Sequence, residues 1–166
     1  MKITTFHRSV VLLFTVLLAS AALAQSDAQK SFDKLKTLVG SWQGKNADGK
    51  PVQISFRDTA GGTALMSEIT AGDEGMISMI HLDGDRLLLT HYCPAGNQPR
   101  MKASVSPDGK TIMFDFVDAT NLSSPEAGHM HRAVFTFLDA DHHSEEWDYI
   151  NHDKGMRQVF ELQRAK

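Results

Sequence analysis

From residue 40 onward, apolar and polar positions alternate in short runs, and turn-forming residues interrupt the alternation at regular intervals. On a strand, side chains at i and i+2 share one face, so a period of two marks half-buried β-structure. Ala47-Asp48-Gly49, Gly61-Gly62, Asp83-Gly84-Asp85 and Pro107-Asp108-Gly109 are typical of the interruptions. The runs between them predict ten strands, at 41–46, 51–59, 63–70, 76–82, 86–93, 99–106, 111–118, 129–138, 142–151 and 156–164. Ahead of them Phe32, Leu35 and Leu38 recur at helical spacing and predict one short amphipathic helix within 27–39. Ten short strands joined by tight turns favour an all-β fold, a ten-stranded antiparallel up-and-down barrel, because closure leaves no exposed sheet edge. A two-sheet sandwich is the alternative, and it needs longer crossover connections.

In such a barrel, alternate turns lie at opposite ends. One end collects the turns near 48, 73, 96, 123 and 153, and the other collects those near 61, 84, 108 and 140 together with the helix. The first end carries the two most irregular connections, 94–98 and 119–128. His91 and Cys93 finish the fifth strand there, and His129 and His131 begin the eighth. Trp147 and Tyr149 approach the same end on the ninth strand, on one alternating face with His143 and Glu145. Leu87, Leu89, Val105, Ile112, Phe135 and Phe137 fall toward the other end. A polar mouth over an apolar floor is the shape of a ligand cavity.

His91-Tyr92-Cys93 and His129-Met130-His131 carry the candidate chemistry. Their faces run into apolar residues, so the histidines are expected to point inward, where an unpartnered polar group costs roughly 1–3 kcal/mol. The leading expectation is a pocket for a small, partly apolar molecule, used for binding rather than turnover. His91, His129, His131 and Trp147 would meet its polar end, and Phe116 and Phe135 its apolar end, with Cys93, Met101 and Tyr149 as further candidate contacts. Asn97, Arg100 and Asn121 lie in the mouth connections and could orient an anionic or amide-bearing group, although Asn in such turns also caps backbone.

The competing expectation is a metal or haem site built on His91, His129 and His131. Two histidines about 6.6–7 Å apart along a strand can grip one ion, and a third ligand would give a catalytic zinc pattern. Against it, strands five and eight are three steps apart, roughly 14 Å around the wall. A hydrogen-bonded structural network is the third possibility. Cys93 and His91 do not suit nucleophile and base, because neighbours at i and i+2 point in parallel and no oxyanion hole is indicated. Glu145 and Glu146 face opposite sides and cannot flank one glycosidic bond. Asp141-His142-His143 reads as a solvated turn, and Asn121-Leu122-Ser123 is a glycosylation sequon, irrelevant if the source is bacterial. Met66, Met76, Met79, Met101 and Met113 read as adaptable core filler, with pocket lining as the alternative for some of them, and are too dispersed for copper.

Lys2 and Arg8 precede an apolar run at 10–18, and Ala22-Leu23-Ala24 has the form of a cleavage site. The expectation is a signal peptide at 1–24 and one domain at 25–166, exported to the periplasm or medium. The run is too short for a spanning helix of about 20 residues, and no cysteine follows it to carry a lipid. Without Lys2 and Arg8, 15 of the 17 basic residues remain against 20 acidic ones, which argues against nucleic acid. Cys93 is the only cysteine, so no internal disulfide can form.

Gly40-Ser41-Trp42-Gln43-Gly44, at the first strand after a short helix, resembles the G-x-W opening of calycin barrels, which include lipocalins, fatty-acid-binding proteins and haem-binding nitrobindins. The resemblance implies that Trp42 packs at the closed end beneath a basic side chain of the last strand, here Arg164. Turn counting places both residues at that end. His91-Tyr92-Cys93, 96–101, 118–121 and 128–131 are also similar to a family of secreted bacterial proteins of this type, which implies a shared pocket and no particular chemistry. The haem-ligating histidine of nitrobindins has no clear counterpart; His152, nearest the last strand, falls in a turn.

Overall fold

The computed structural model describes residues 25–72, 74–152 and 154–166; the expected signal peptide at 1–24 lies outside them. Helix α1 (Asp27–Lys36) starts where Ser26 accepts a hydrogen bond from the Gln29 backbone N–H at 3.2 Å, satisfying one of the amides that a first turn leaves unpaired. Asp27 in its first turn and Lys34 and Lys36 in its last complement the helix dipole. The helix ends at Lys36, short of the limit suggested by periodicity, yet Leu38 in the following turn remains in the core beside Phe32 and Leu35.

Ten strands follow: β1 (Gly40–Lys45), β2 (Pro51–Thr59), β3 (Ala64–Ala71), β4 (Glu74–Asp83), β5 (Arg86–Tyr92), β6 (Gln98–Val105), β7 (Thr111–Thr120), β8 (His129–Phe137), β9 (His142–Asn151) and β10 (Lys154–Arg164). Each pairs with its sequence neighbour, and β1 pairs with β10 to close an antiparallel barrel. The all-β barrel expected from turn spacing is therefore the fold. β2 and β9 have the expected limits, and the ends of the other strands differ from them by at most two residues, within the range over which hydrogen-bonded ends and sequence patterns diverge.

The closed end is held by Trp42 and Arg164. The Arg164 guanidinium lies 4.2 Å over the Trp42 ring and donates to the carbonyls of Val39 (3.0 Å) and Thr37 (2.9 Å). Trp42 Nε1 donates to Leu38 O at 2.7 Å. One arginine thus satisfies carbonyls left behind by α1 and stacks on the strand that follows it. Gly40 and Gly44 are forced by this closeness. A Cβ at Gly44 would lie 1.9 Å from the Glu161 carbonyl oxygen, and Gly40 adopts φ +127° against the Arg164 side chain.

The core runs from this end through Phe56, Phe114 and Phe135, whose rings pack edge-to-face at centroid distances of 6.5 Å (Phe56–Phe135) and 5.8 Å (Phe114–Phe135). Val105, expected in the floor, ends β6 at 40% exposure. Two register shifts interrupt the ladders, one between Arg100 and Met101 of β6 and one between Met130 and Arg132 of β8. The β7–β8 ladder stops at Asp115↔Arg132, so toward the mouth these strands are no longer paired residue for residue.

Candidate functional site

A cavity of about 340 Å³ opens at the end opposite α1. Its wall is supplied by β3, β4 and β5 on one side and β8, β9 and β10 on the other: Ile69, Met76 and His91 face Met130, Trp147 and Phe160. Glu74, Cys93, Pro94, Ala95 and Tyr149 ring the upper part, and Met156, 56% exposed, stands at the rim. The volume is at the small end of ligand pockets, about 300–1,000 Å³, and the lining is chiefly apolar with few polar groups.

His91 is the pivotal polar group. It is fully buried, its Nδ1 lies 2.9 Å from Ser78 Oγ, and its Nε2 has no hydrogen-bond partner among the described residues. Alternation places Ser67, Ser78 and His91 in one transverse row across β3, β4 and β5, where Ser67 pairs with Ser78 and Ser78 with His91. Ser67 Oγ is likewise buried and unpartnered. Burial lowers the His91 pKa from 6.5 to about 4, so the imidazole is neutral at physiological pH. The His91 ring meets Trp147 at a centroid distance of 4.9 Å although β5 and β9 are four steps apart in the wall. Side chains therefore touch across the interior, and wall distance underestimates how closely the two sides approach.

Trp147 leads into a second buried group. Its Nε1 donates to Glu145 Oε2 at 2.9 Å, and Glu145 Oε1 lies 3.1 Å from His143 Nε2. His143 in turn packs edge-on against Trp42 at 4.3 Å. The expectation of a solvated Asp141-His142-His143 turn is half corrected. His142 is half-buried and bonded to Asp139, whereas His143 faces inward on β9 because strand alternation begins at His142. The fully buried Glu145, hydrogen-bonded to both Trp147 and His143, links the cavity wall to the closed end.

Of the residues singled out from sequence, His91, Cys93, Trp147 and Tyr149 line the cavity. Cys93 sits at its edge with a thiol pKa raised chiefly by burial and further by the Glu74 charge, opposed by a backbone hydrogen bond to Ala95; it is a poor nucleophile. The others lie elsewhere. Met101 and Phe135 are sealed in the core below. Arg100 is on the outside, paired with Asp118. Asn97 donates to Gly128 O (2.8 Å) and Asn121 to Gly96 O (2.6 Å), so both stitch the two mouth connections together. His152 adopts φ +53° in the β9–β10 turn and bonds to Asn151, away from the cavity lining.

His129 and His131 are the main correction. They do not reach His91: the register shift at Met130/Arg132 puts Met130 on the cavity wall, and the two histidines pack against Phe116 at 4.4 and 5.5 Å. A bulge inserts one residue and so exchanges the faces on either side of it. This breaks the alternation that connected His131 to Phe135. The three-histidine set of the metal reading is therefore not assembled, and among the described residues no group of three or more His, Cys, Asp or Glu side chains is placed to hold one ion.

Several lining residues escaped the sequence reading: Ile69, Glu74, Met156, Gln158 and Phe160. Alternation back from Leu162 through Phe160 and Gln158 to Met156 was available. Met130 was hidden by the bulge.

No protein-family model matches the sequence, and no curated protein matches it. Among solved structures the fold is similar to Rv2717c from M. tuberculosis, with a TM-score of 0.56 and 16% identity over 82% of this chain and 98% of that one. It is also similar to a protein of unknown function from the DUF3598 family of Nostoc punctiforme PCC 73102, with a TM-score of 0.55 and 12% identity over 79% of this chain. The match spans 49% of that longer protein. At such identities the likeness is one of fold, and the chemistry must come from this chain's own side chains.

Proposed function

We propose that the protein is an exported, calycin-like barrel that binds a small, partly apolar molecule bearing an uncharged hydroxyl or amide. The observation that carries this reading is the unpartnered, buried Nε2 of His91 on the wall of an otherwise apolar cavity. An orphaned buried polar atom costs about 1–3 kcal/mol, which a ligand or an ordered water recovers. A hydroxyl suits either His91 tautomer, because it both donates and accepts. A carboxylate does not: His91 is neutral, and Glu74 at the mouth adds negative charge. The Trp42–Arg164 stack supports the calycin comparison, and the basic-then-apolar pattern of 1–24 supports export.

Titration with a medium-chain alcohol, the matching primary amide and the matching carboxylate, followed by tryptophan fluorescence, tests the proposal. The alcohol and amide are expected to bind at least about tenfold more tightly than the carboxylate, a difference of about 1.4 kcal/mol. Ala95→Trp, which fills the mouth from an exposed loop position, should abolish binding of all three. Equal binding by the blocked variant contradicts the proposed site.

A further inference from the structure

The corrected position of His129 and His131 creates a different arrangement from the one the sequence suggested. His129 Nδ1 lies 2.8 Å from the Ala127 carbonyl oxygen. A carbonyl can only accept, so Nδ1 carries the proton and Nε2 presents a lone pair. That Nε2 lies 3.5 Å from His131 Nδ1. The distance is at the limit of a useful hydrogen bond. Two imidazole nitrogens on one tetrahedral zinc, with bonds of about 2.0–2.1 Å, stand about 3.3–3.4 Å apart. The pair therefore has the spacing of two ligands on one ion.

We propose that His129 and His131 form a two-histidine chelate for a divalent transition-metal ion, separate from the cavity and independent of its ligand. Three further features support it. The 2.8 Å bond from His129 to a backbone carbonyl is the outer contact that orients metal-binding histidines and fixes their tautomer. Both rings rest on Phe116, at 4.4 and 5.5 Å, which limits their rotation. His131 is exposed, giving an ion and its waters a route in. Close by in the mouth connections, Asn97 donates to Gly128 O and leaves its own Oδ1 buried without a partner. A metal-bound water is a donor of the kind that Oδ1 lacks. With only two protein ligands, the remaining positions belong to water, and affinity should follow the general order for nitrogen sites, Cu²⁺ above Ni²⁺ and Zn²⁺.

Calorimetric titration of the metal-free protein with CuCl₂, NiCl₂ and ZnCl₂ tests this site. One equivalent of Cu²⁺ is expected to bind most tightly, and His131→Ala, at an exposed position, should weaken it at least about tenfold through loss of the chelate. His129→Gln should do the same, with circular dichroism reporting that the barrel is intact. His142→Ala, at the other end of the barrel, should leave the titration unchanged. An unchanged isotherm in His131→Ala, or equal loss in His142→Ala, would mean an adventitious ion only and overturns the proposal, as does the absence of a stoichiometric transition in the wild type.

Discussion

Replacing Trp42 with alanine should lower the unfolding free energy by about 3–5 kcal/mol, the range for removing a large aromatic from a core. The side chain is almost fully buried at the closed end, in contact with His143 at 4.3 Å and under Arg164 at 4.2 Å. Truncation leaves a void, unpairs Leu38 O, and takes away the surface on which the guanidinium rests. Arg164 also bonds to Thr37 and Val39, so it ties the last strand to the turn after α1. Trp42→Phe retains most of the apolar contact and loses the hydrogen bond; it should cost less, about 1–2 kcal/mol. Urea denaturation of both variants measures the difference. A loss below about 1 kcal/mol for Trp42→Ala would mean that the closed end does not organise the barrel.

The second large effect is acid destabilisation through His91. Its pKa is about 4 in the folded protein and 6.5 in the unfolded chain. Below 6.5 the unfolded state binds a proton that the folded state refuses, so stability falls as pH drops from 6.5 toward 4 and is unaffected above 7. The fully buried ring makes the conversion direct: about 3 kcal/mol between pH 7 and pH 4, at 1.36 kcal/mol per pKa unit. Carboxylates titrate over part of the same window, so the measurement is a comparison. Wild type should lose about 3 kcal/mol more than His91→Gln between these pH values. Parallel pH profiles would show that His91 is not held neutral by burial.

The barrel was readable because its information is local. Alternation locates strands, Asp-Gly and Gly-Gly turns end them, and counting turns assigns each to one end. That count put Trp42 and Arg164 at the same closed end, where the resemblance to calycin barrels implies that they pack together, and it assigned His91, Cys93, Trp147 and Tyr149 to the mouth end. Two kinds of feature were not local. A bulge at Met130/Arg132 leaves no mark in composition, yet it moves Met130 to the cavity and the neighbouring histidines onto Phe116. Contacts across the interior, such as His91 to Trp147, depend on how closely the two walls approach, which strand spacing does not determine. Alternation put His143, Glu145 and Trp147 on one face of β9, whereas the hydrogen bonds that link them depend on side-chain rotation that spacing does not determine.

The central claim is that His91 Nε2 is the polar contact of a cavity ligand. Imidazole ¹⁵N NMR during titration with the medium-chain alcohol measures it at the atom concerned. The account predicts that the His91 Nε2 resonance shifts saturably while those of His129 and His131 stay in place, and that Ala95→Trp removes the response. A saturable interaction that leaves His91 unmoved would contradict it.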